Sequence, residues 1–274
     1  MAPNEGTIDK GEMMKPEHVA LNVPDPVAMV EWYKQNLRMT VKRYGGPPTH
    51  TTFLADVSDN IMLELFCNTD YPMLELKRFH PMTLHLAFMT DSLAGTREAL
   101  LNAGAAVAGD ITRIPTGDEV LMMQDPWGLS LQFIHRAMPM LPQVHFRPEH
   151  IAFNVRDSRA QAAWYRAEFG MKVNREGGGP DYGFFLADAG GHMMLELYQN
   201  MLHPVLDFPN VSYMSVHLAF MAVDVVAAKE RLVAKGATIA EDLSTTPSGD
   251  QIVMMRDPWG LAVQLVKRVA PMLE

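Results

Sequence analysis

The sequence predicts an α+β fold assembled from four βαβββ modules. Three observations carry that prediction: the chain repeats itself once, each half repeats itself again more faintly, and every unit reads as strand, helix and further strands. The long repeat is visible in whole words. "EHVALNV" at Glu17 returns as "EHIAFNV" at Glu149, "HLAFM" at His85 returns at His217, and "MLEL" and "DPWGL" return in the same way. All these pairs stand 132 residues apart, so the halves align without net insertion. Within the first half, His18 and His85 are 67 residues apart and Glu64 and Gln132 are 68 apart, which divides the 274-residue chain into four units. Fixed periods of this kind mark duplication of a structural unit.

Each module justifies its elements in order. "HVALNV" is a strand-like run in which His18, Ala20 and Asn22 share one face and Val19, Leu21 and Val23 the other. Asp25 and Pro26 then supply an N-cap and a first-turn proline, and Val27, Val30, Tyr33 and Leu37 follow at helical spacing. Asp157 opens the matching helix of the second half. Gly104 and Gly236 close the helices of the second and fourth modules as glycine C-caps. After them come two strands joined by Asp125-Pro126-Trp127-Gly128, with Asp, Pro and Gly where a type I turn prefers them. The domains expected are residues 16–136 and 149–270. Between them lies the proline-rich linker 137–148, and residues 1–15 form a flexible tail.

Composition narrows the function. With 48% hydrophobic and 20% charged residues the chain is globular, and no apolar run approaches the roughly 18 residues of a membrane span. The lone Cys67 excludes an intrachain disulfide and a thiolate cluster, so a cytoplasmic location is expected and any metal falls to His, Asp, Glu or amide ligands. A net charge of −9 without a Lys/Arg cluster speaks against nucleic acid or an anionic membrane as partner. The partners expected are a small-molecule substrate and a second copy of the chain in a homodimer.

The chemistry concentrates on the repeated polar residues. In "IMLELF", Glu64 sits between leucines, where a carboxylate is costly unless something pairs with it. Two histidines and a carboxylate from different strands on one concave face form a ligand set for Zn, Ni, Fe(II) or Mn, and Gln132 adds a weaker amide oxygen. A histidine at a strand start is more often a simple packing residue. Here all four candidates, His18, Glu64, His85 and Gln132, persist in the second half as His150, Glu196, His217 and Gln264, while most of the intervening helix changes.

These modules, with His on the first strand and Glu or Gln on the last, resemble the vicinal oxygen chelate superfamily, which includes glyoxalase I, bleomycin resistance proteins and extradiol dioxygenases. The resemblance covers residues 16–270. It implies two tandem glyoxalase-like domains, with modules paired into two curved eight-stranded cups, the glyoxalase/bleomycin resistance/dioxygenase fold. It also implies a divalent metal in each cup: His18, Glu64, His85 and Gln132 as one set, and His150, Glu196, His217 and Gln264 as the other. Whether module one pairs with two or with four stays open.

The implied activity is lyase or isomerase chemistry on a small α-oxygenated substrate held through adjacent oxygens. Two departures matter. Glyoxalases carry a glutamate where Gln132 and Gln264 stand, so Glu64 and Glu196 serve as ligand and base together, or the base lies elsewhere. The ring-cleaving signature keeps its spacing in "MMRDPWGLAVQ" but has Met254 for its tyrosine and Gln264 for its glutamate. An Fe(II) dioxygenase remains the second reading, through a rearranged triad of His150, His217 and Glu196, and a metal-free binding protein the third. Arg43 and Arg175, beside the glycine-rich "GGPP" and "GGGP", are candidate clamps for a substrate carboxylate. Tyr182 and Phe184 are candidate covers of the second pocket. His50, His80, His135, His145, His192 and His203 have no counterpart in the repeat and carry no assigned role.

Overall fold

A computed structural model describes residues 14–273 of the chain. The first module contains β1 (Lys15–Asn22), α1 (Pro26–Leu37), β2 (Thr40–Tyr44), β3 (Thr52–Ala55) and β4 (Met62–Phe66). The second contains β5 (Leu84–Met89), α2 (Leu93–Asn102), β6 (Ala106–Arg113), β7 (Glu119–Gln124) and β8 (Ser130–His135). The third contains β9 (Pro148–Asn154), α3 (Ser158–Phe169), β10 (Lys172–Glu176), β11 (Phe184–Ala187) and β12 (Met194–Tyr198). The fourth contains β13 (Val216–Met221), α4 (Val225–Ala234), β14 (Thr238–Thr245), β15 (Gln251–Arg256) and β16 (Ala262–Lys267). Most of the expected 1–15 tail lies outside the described residues. Met14 and Lys15 belong to the fold: Met14 is buried with its N–H on the Phe169 carbonyl, and Lys15 opens β1.

The strands form two eight-stranded sheets, ordered β14-β15-β16-β13-β1-β4-β3-β2 and β10-β11-β12-β9-β5-β8-β7-β6. Module one therefore pairs with module four, and module two with module three. At the centre of each sheet two first strands run antiparallel, β1 with β13 and β5 with β9. Each is flanked on its outer side by a parallel last strand from its own module. Both sheets draw strands from both halves of the sequence.

Alternation along the strands separates a core from a site. Val19, Leu21 and Val23 of the first module and Ile151, Phe153 and Val155 of the third join one continuous apolar cluster shared by the two sheets and the helices. Burying each such apolar side chain contributes about 1.5–3 kcal/mol, which fixes which face of a strand turns inward. The other face is left to His18, Ala20 and Asn22.

The helices start and stop as the sequence predicts. Asp25 and Asp157 accept the N–H groups of Ala28 and Ala160, and Gly104 and Gly236 follow α2 and α4 at φ of 86° and 94°. The buried stripe of α1 is not quite the expected one. Val27 is 49% exposed, and Pro26, Met29, Val30, Tyr33 and Leu37 face the core instead, because the buried place in the first turn is taken by the proline. Among the described residues, no helix is long and apolar enough to cross a membrane.

A buried staple ties the two sheets within each half. The Tyr33 hydroxyl on α1 donates to Asp125 at 3.0 Å, and Tyr165 on α3 donates to Asp257 at 3.2 Å. Asp125 begins the Asp-Pro-Trp-Gly turn between β7 and β8, and its other oxygen accepts the N–H groups of Trp127 and Leu129. Burial pushes the Asp125 carboxyl up to about 6 despite these donors. The folded state therefore binds its proton more tightly than the unfolded chain, so this contribution to stability is present below the ordinary Asp range and is lost as the pH rises through about 6. Tyr33→Phe removes one donor from a carboxylate that is ionised above that point. The variant is expected to lose about 1–3 kcal/mol of unfolding free energy at pH 8 and distinctly less at pH 5. Urea titrations at the two pH values measure the difference.

Candidate metal centre

The register of the central strands builds each site from two rows of residues. In the first sheet, Glu64 of β4, Ala20 of β1 and His217 of β13 lie side by side. In the row next to it on the same face, His18 of β1, Ala219 of β13 and Gln264 of β16 are aligned. His18 and His217 thus face each other diagonally across the strand pair, and the alanines keep the space between them free of bulk. The second sheet repeats the layout with Glu196, Ala152 and His85 in one row and His150, Ala87 and Gln132 in the other.

The structure groups the expected ligands differently from the sequence reading. His18 and Glu64 meet His217 and Gln264, not His85 and Gln132. His150 and Glu196 meet His85, with Gln132 aligned in the adjacent row, and not His217 and Gln264. The cause is the pairing of module one with four, which exchanges the second and fourth modules between the sets. The rearranged triad of His150, His217 and Glu196 is not brought together. In each of the two observed trios, His18/Glu64/His217 and His85/His150/Glu196, one ligand atom per residue lies within 4.8 Å of the others.

The imidazoles are oriented from behind. The Nδ1 atoms of His18 and His150 hold Glu17 and Glu149 at 2.9 and 2.8 Å, while those of His217 and His85 reach the backbone oxygens of Tyr213 and Pro81, each at 3.1 Å. Every Nε2 is thereby left to face the site. His18 Nε2 is 3.0 Å from Glu64 and His150 Nε2 is 3.1 Å from Glu196, with His217 and His85 at 3.8 Å from the same carboxylates. Despite that proximity, the buried Nε2 atoms of His18, His85 and His150 make no hydrogen bond. Their lone pairs and the carboxylate converge on common ground without satisfying one another, which is what a divalent cation requires of its ligands.

Electrostatics agree. Burial pushes His85 and His217 down to about 4, so both imidazoles are neutral at pH 7. Burial also works against protonation of His18 and His150, but the carboxylates on either side of each outweigh it and hold them above the ordinary histidine range. Burial acts to raise Glu64 and Glu196, yet the neighbouring histidines keep both below the ordinary carboxylate range. A cation bound between these groups would displace the protons that the carboxylates favour on His18 and His150. Gln264 is buried, with its amide nitrogen 3.5 Å from His217 Nε2 and its oxygen unpartnered. A half-turn of the amide exchanges the two atoms and presents the oxygen to the site.

Behind each site runs a buried ionic chain. Arg268 binds both oxygens of Glu17 at 2.9 and 2.7 Å and reaches Asp250 at 3.1 Å, and Arg43 meets the same Asp250 at 3.1 Å. In the other sheet, Arg136 binds Glu149 at 2.8 and 2.5 Å and Asp118 at 2.8 Å, and Arg175 meets Asp118 at 2.6 Å. Burial opposes ionisation of Glu17, Glu149 and Asp118, but their charged partners prevail and hold all three down to about 2. Their contribution to stability is present above the ordinary carboxylate range and fades as the pH falls toward 2.

Arg43 and Arg175, expected as substrate clamps, terminate these chains. Phe184 lies with the core cluster, and the aromatic ring against His150 is Phe185, one residue on, at 5.3 Å; Phe53 holds the same place beside His18. Tyr182 lies under the Arg159 guanidinium at 4.3 Å. Sequence reasoning missed Glu17, Glu149, Arg136, Arg268, Asp118 and Asp250. Their signal was available, since each recurs at the 132-residue period.

The sequence profile of the glyoxalase/bleomycin resistance protein/dioxygenase superfamily matches residues 15–133 and again 147–265, and the chain belongs to that superfamily. Glyoxalase I from Zea mays is similar in structure, with a TM-score of 0.74 at 22% identity over 93% of this chain and 92% of that one. A putative dioxygenase from Bacillus subtilis subsp. subtilis str. 168 superposes with a TM-score of 0.66 at 11% identity, over 96% and 87% of the two chains. At such identities the likeness is one of fold. No curated protein matches the chain.

The row geometry makes a specific demand on Ala20, which is fully buried between Glu64 and His217. Ala20→Leu places three further carbons over the ground on which the ligands converge, at a strain cost of about 1–3 kcal/mol. The variant is expected to fold, with unchanged far-ultraviolet circular dichroism, and to bind about one divalent ion per chain where about two are expected of the parent. Elemental analysis after metal loading and desalting counts them.

Proposed function

We propose that the protein is a divalent-metal-dependent enzyme of the glyoxalase type, with two sites per chain, acting on a small α-oxygenated substrate held through adjacent oxygens. The observation that carries this reading is the duplicated trio of two inward imidazole edges and one carboxylate, in which the inner nitrogens of His18, His85 and His150 have no hydrogen-bond partner. His18, Glu64, His217 and Gln264 would hold one ion, and His85, His150, Glu196 and Gln132 the other. The ion would be Zn, Ni, Mn or Fe(II), all of which accept this donor set. When bound, it supplies Lewis-acid stabilisation of negative charge developing on substrate oxygens.

The remaining work falls to the chain. Glu64 and Glu196 are the carboxylates facing each site, and they are the groups that move a proton, because the amides of Gln264 and Gln132 cannot take one at neutral pH. Glu17 and Glu149 hold His18 and His150 in one orientation and keep their inner nitrogens toward the site. Phe53 and Phe185 close the apolar flank and restrict water beside those nitrogens.

The first test is metal content on chelator-free protein. About two ions per chain are expected, and a content near zero that persists after incubation with Zn, Ni, Mn and anaerobic Fe(II) would overturn the reading. With a turnover assay in hand, Glu64→Gln together with Glu196→Gln should keep the fold and lower kcat by about 100-fold or more. A two-histidine, one-carboxylate set also suits Fe(II) and oxygen, which favours an extradiol-type dioxygenase as the second reading. Oxygen consumption by the Fe(II)-loaded protein with a catechol would support it over the first.

A further inference from the structure

The two sites match at their ligands and differ where a substrate would extend away from them. A cavity of about 190 Å³ opens beside the first site, with Gln264 and Met254 among its lining and Glu241 and Ser244 contributed by β14. Gln264 joins this cavity to the ligand set through its contact with His217. Glu241 accepts a hydrogen bond from the Tyr213 hydroxyl at 3.1 Å, and Tyr213 meets the hydroxyl of Tyr71 at 3.3 Å. Among the described residues, no cation compensates Glu241. The neighbouring Asp242 is paired with Lys229 at 2.8 Å.

At the equivalent positions of the second site, 132 residues away, this run is missing. Gly109 stands for Glu241, Pro81 for Tyr213 and His203 for Tyr71. His203 instead stacks on His80, with ring centroids 3.9 Å apart. A carboxylate at the far end of a chelated ligand would be repelled by Glu241, while a hydroxyl or ammonium group would find an acceptor there. We propose that Glu241, braced by Tyr213 and Tyr71, makes the His18/Glu64/His217 site selective for substrates whose distal end is a hydrogen-bond donor or a cation, and that the His85/His150/Glu196 site lacks this preference. The inference rests on the metal-site reading above and goes beyond it by assigning the charge class of the substrate.

Two hydroxamates with the same two-methylene spacer test it, because each offers a metal the adjacent oxygens of its hydroxamate: β-alanine hydroxamate, with a distal ammonium, and succinic acid monohydroxamate, with a distal carboxylate. Binding is measured by calorimetry on the Zn-loaded full chain carrying His150→Ala and Glu196→Ala, which leaves the first site alone. β-Alanine hydroxamate is expected to bind more tightly by roughly fivefold, on the scale of an exposed charge interaction, and Glu241→Gln or Glu241→Ala should bring the two probes to within about twofold. The chain carrying His18→Ala and Glu64→Ala, which leaves the second site, should show no preference at the outset. Equal affinities at the first site, a preference for the succinate probe, or a ratio unmoved in both Glu241 variants would overturn the selectivity while the metal reading stands. A chain that takes up metal at neither site would remove both.

Discussion

The antiparallel pairing of β1 with β13, and of β5 with β9, is the interaction on which both sites depend. Each of these strands carries histidine, one intervening residue and alanine, and the pairing sets histidine opposite alanine twice over. Two imidazoles therefore stand diagonally, separated by side chains too small to come between them. A slip of one residue would turn His18 into the apolar core and bring Val19 to the site, at the cost of every buried contact on the other face. The hydrophobic pattern that folds the strands is thus also what holds the ligand positions in register. The parallel last strands, β4 and β16 in one sheet and β12 and β8 in the other, then add Glu and Gln to opposite sides.

Such a site sets a problem that the ionic chains behind it solve. Two histidines and a carboxylate buried together cost several kcal/mol in desolvation if their charges go uncompensated. Glu17 and Glu149 add further buried charge, and Arg268 and Arg136 answer it with bidentate pairing, the geometry in which a guanidinium returns most of what burial removes. Asp250 and Asp118 complete the arginines' coordination and hand the chain on to Arg43 and Arg175. The result is a continuous run of charges from the half-buried Arg43 and Arg175 to the outer nitrogens of His18 and His150. Its role is to fix imidazole orientation, and its arginines are occupied in doing so.

The sequence made the modules, the helix caps, the turn at Asp125 and the eight candidate ligands legible, because each is a local pattern or recurs at a fixed period. Which ligands share a site was not legible. A period records that His85 and His217 are equivalent, and equivalence does not say which of them crosses from another module to meet His18. That information lies in strand pairing between residues some two hundred positions apart. Which aromatic ring stands beside His150 was not legible for a related reason. Phe184 and Phe185 are adjacent and equally apolar, and only the register of β11 against β12 decides that Phe185 faces His150. Arg43 and Arg175 beside flexible glycines suggested ligand contacts. Their partners Asp250 and Asp118 belong to distant modules, so nothing local announced them.

Exchange of modules between sheets also accounts for where the repeats have stayed alike and where they have diverged. The first half supplies His18 and Glu64 to one site and His85 and Gln132 to the other, so neither half contains a complete observed set. The Tyr33–Asp125 and Tyr165–Asp257 staples hold each half together across the two sheets, while the central strand pairs hold the halves to each other. A change at a ligand, at an alanine beneath it or in the ionic chain disturbs packing that several modules share. The residues at 71, 213 and 241 lie outside the central strand pairs and touch one another more than the core, and their equivalents at 203, 81 and 109 are free to differ. A duplicated scaffold of this kind holds its inner residues twice and leaves its rims to diverge, which is the condition under which two like candidate sites in one chain can come to receive different ligands.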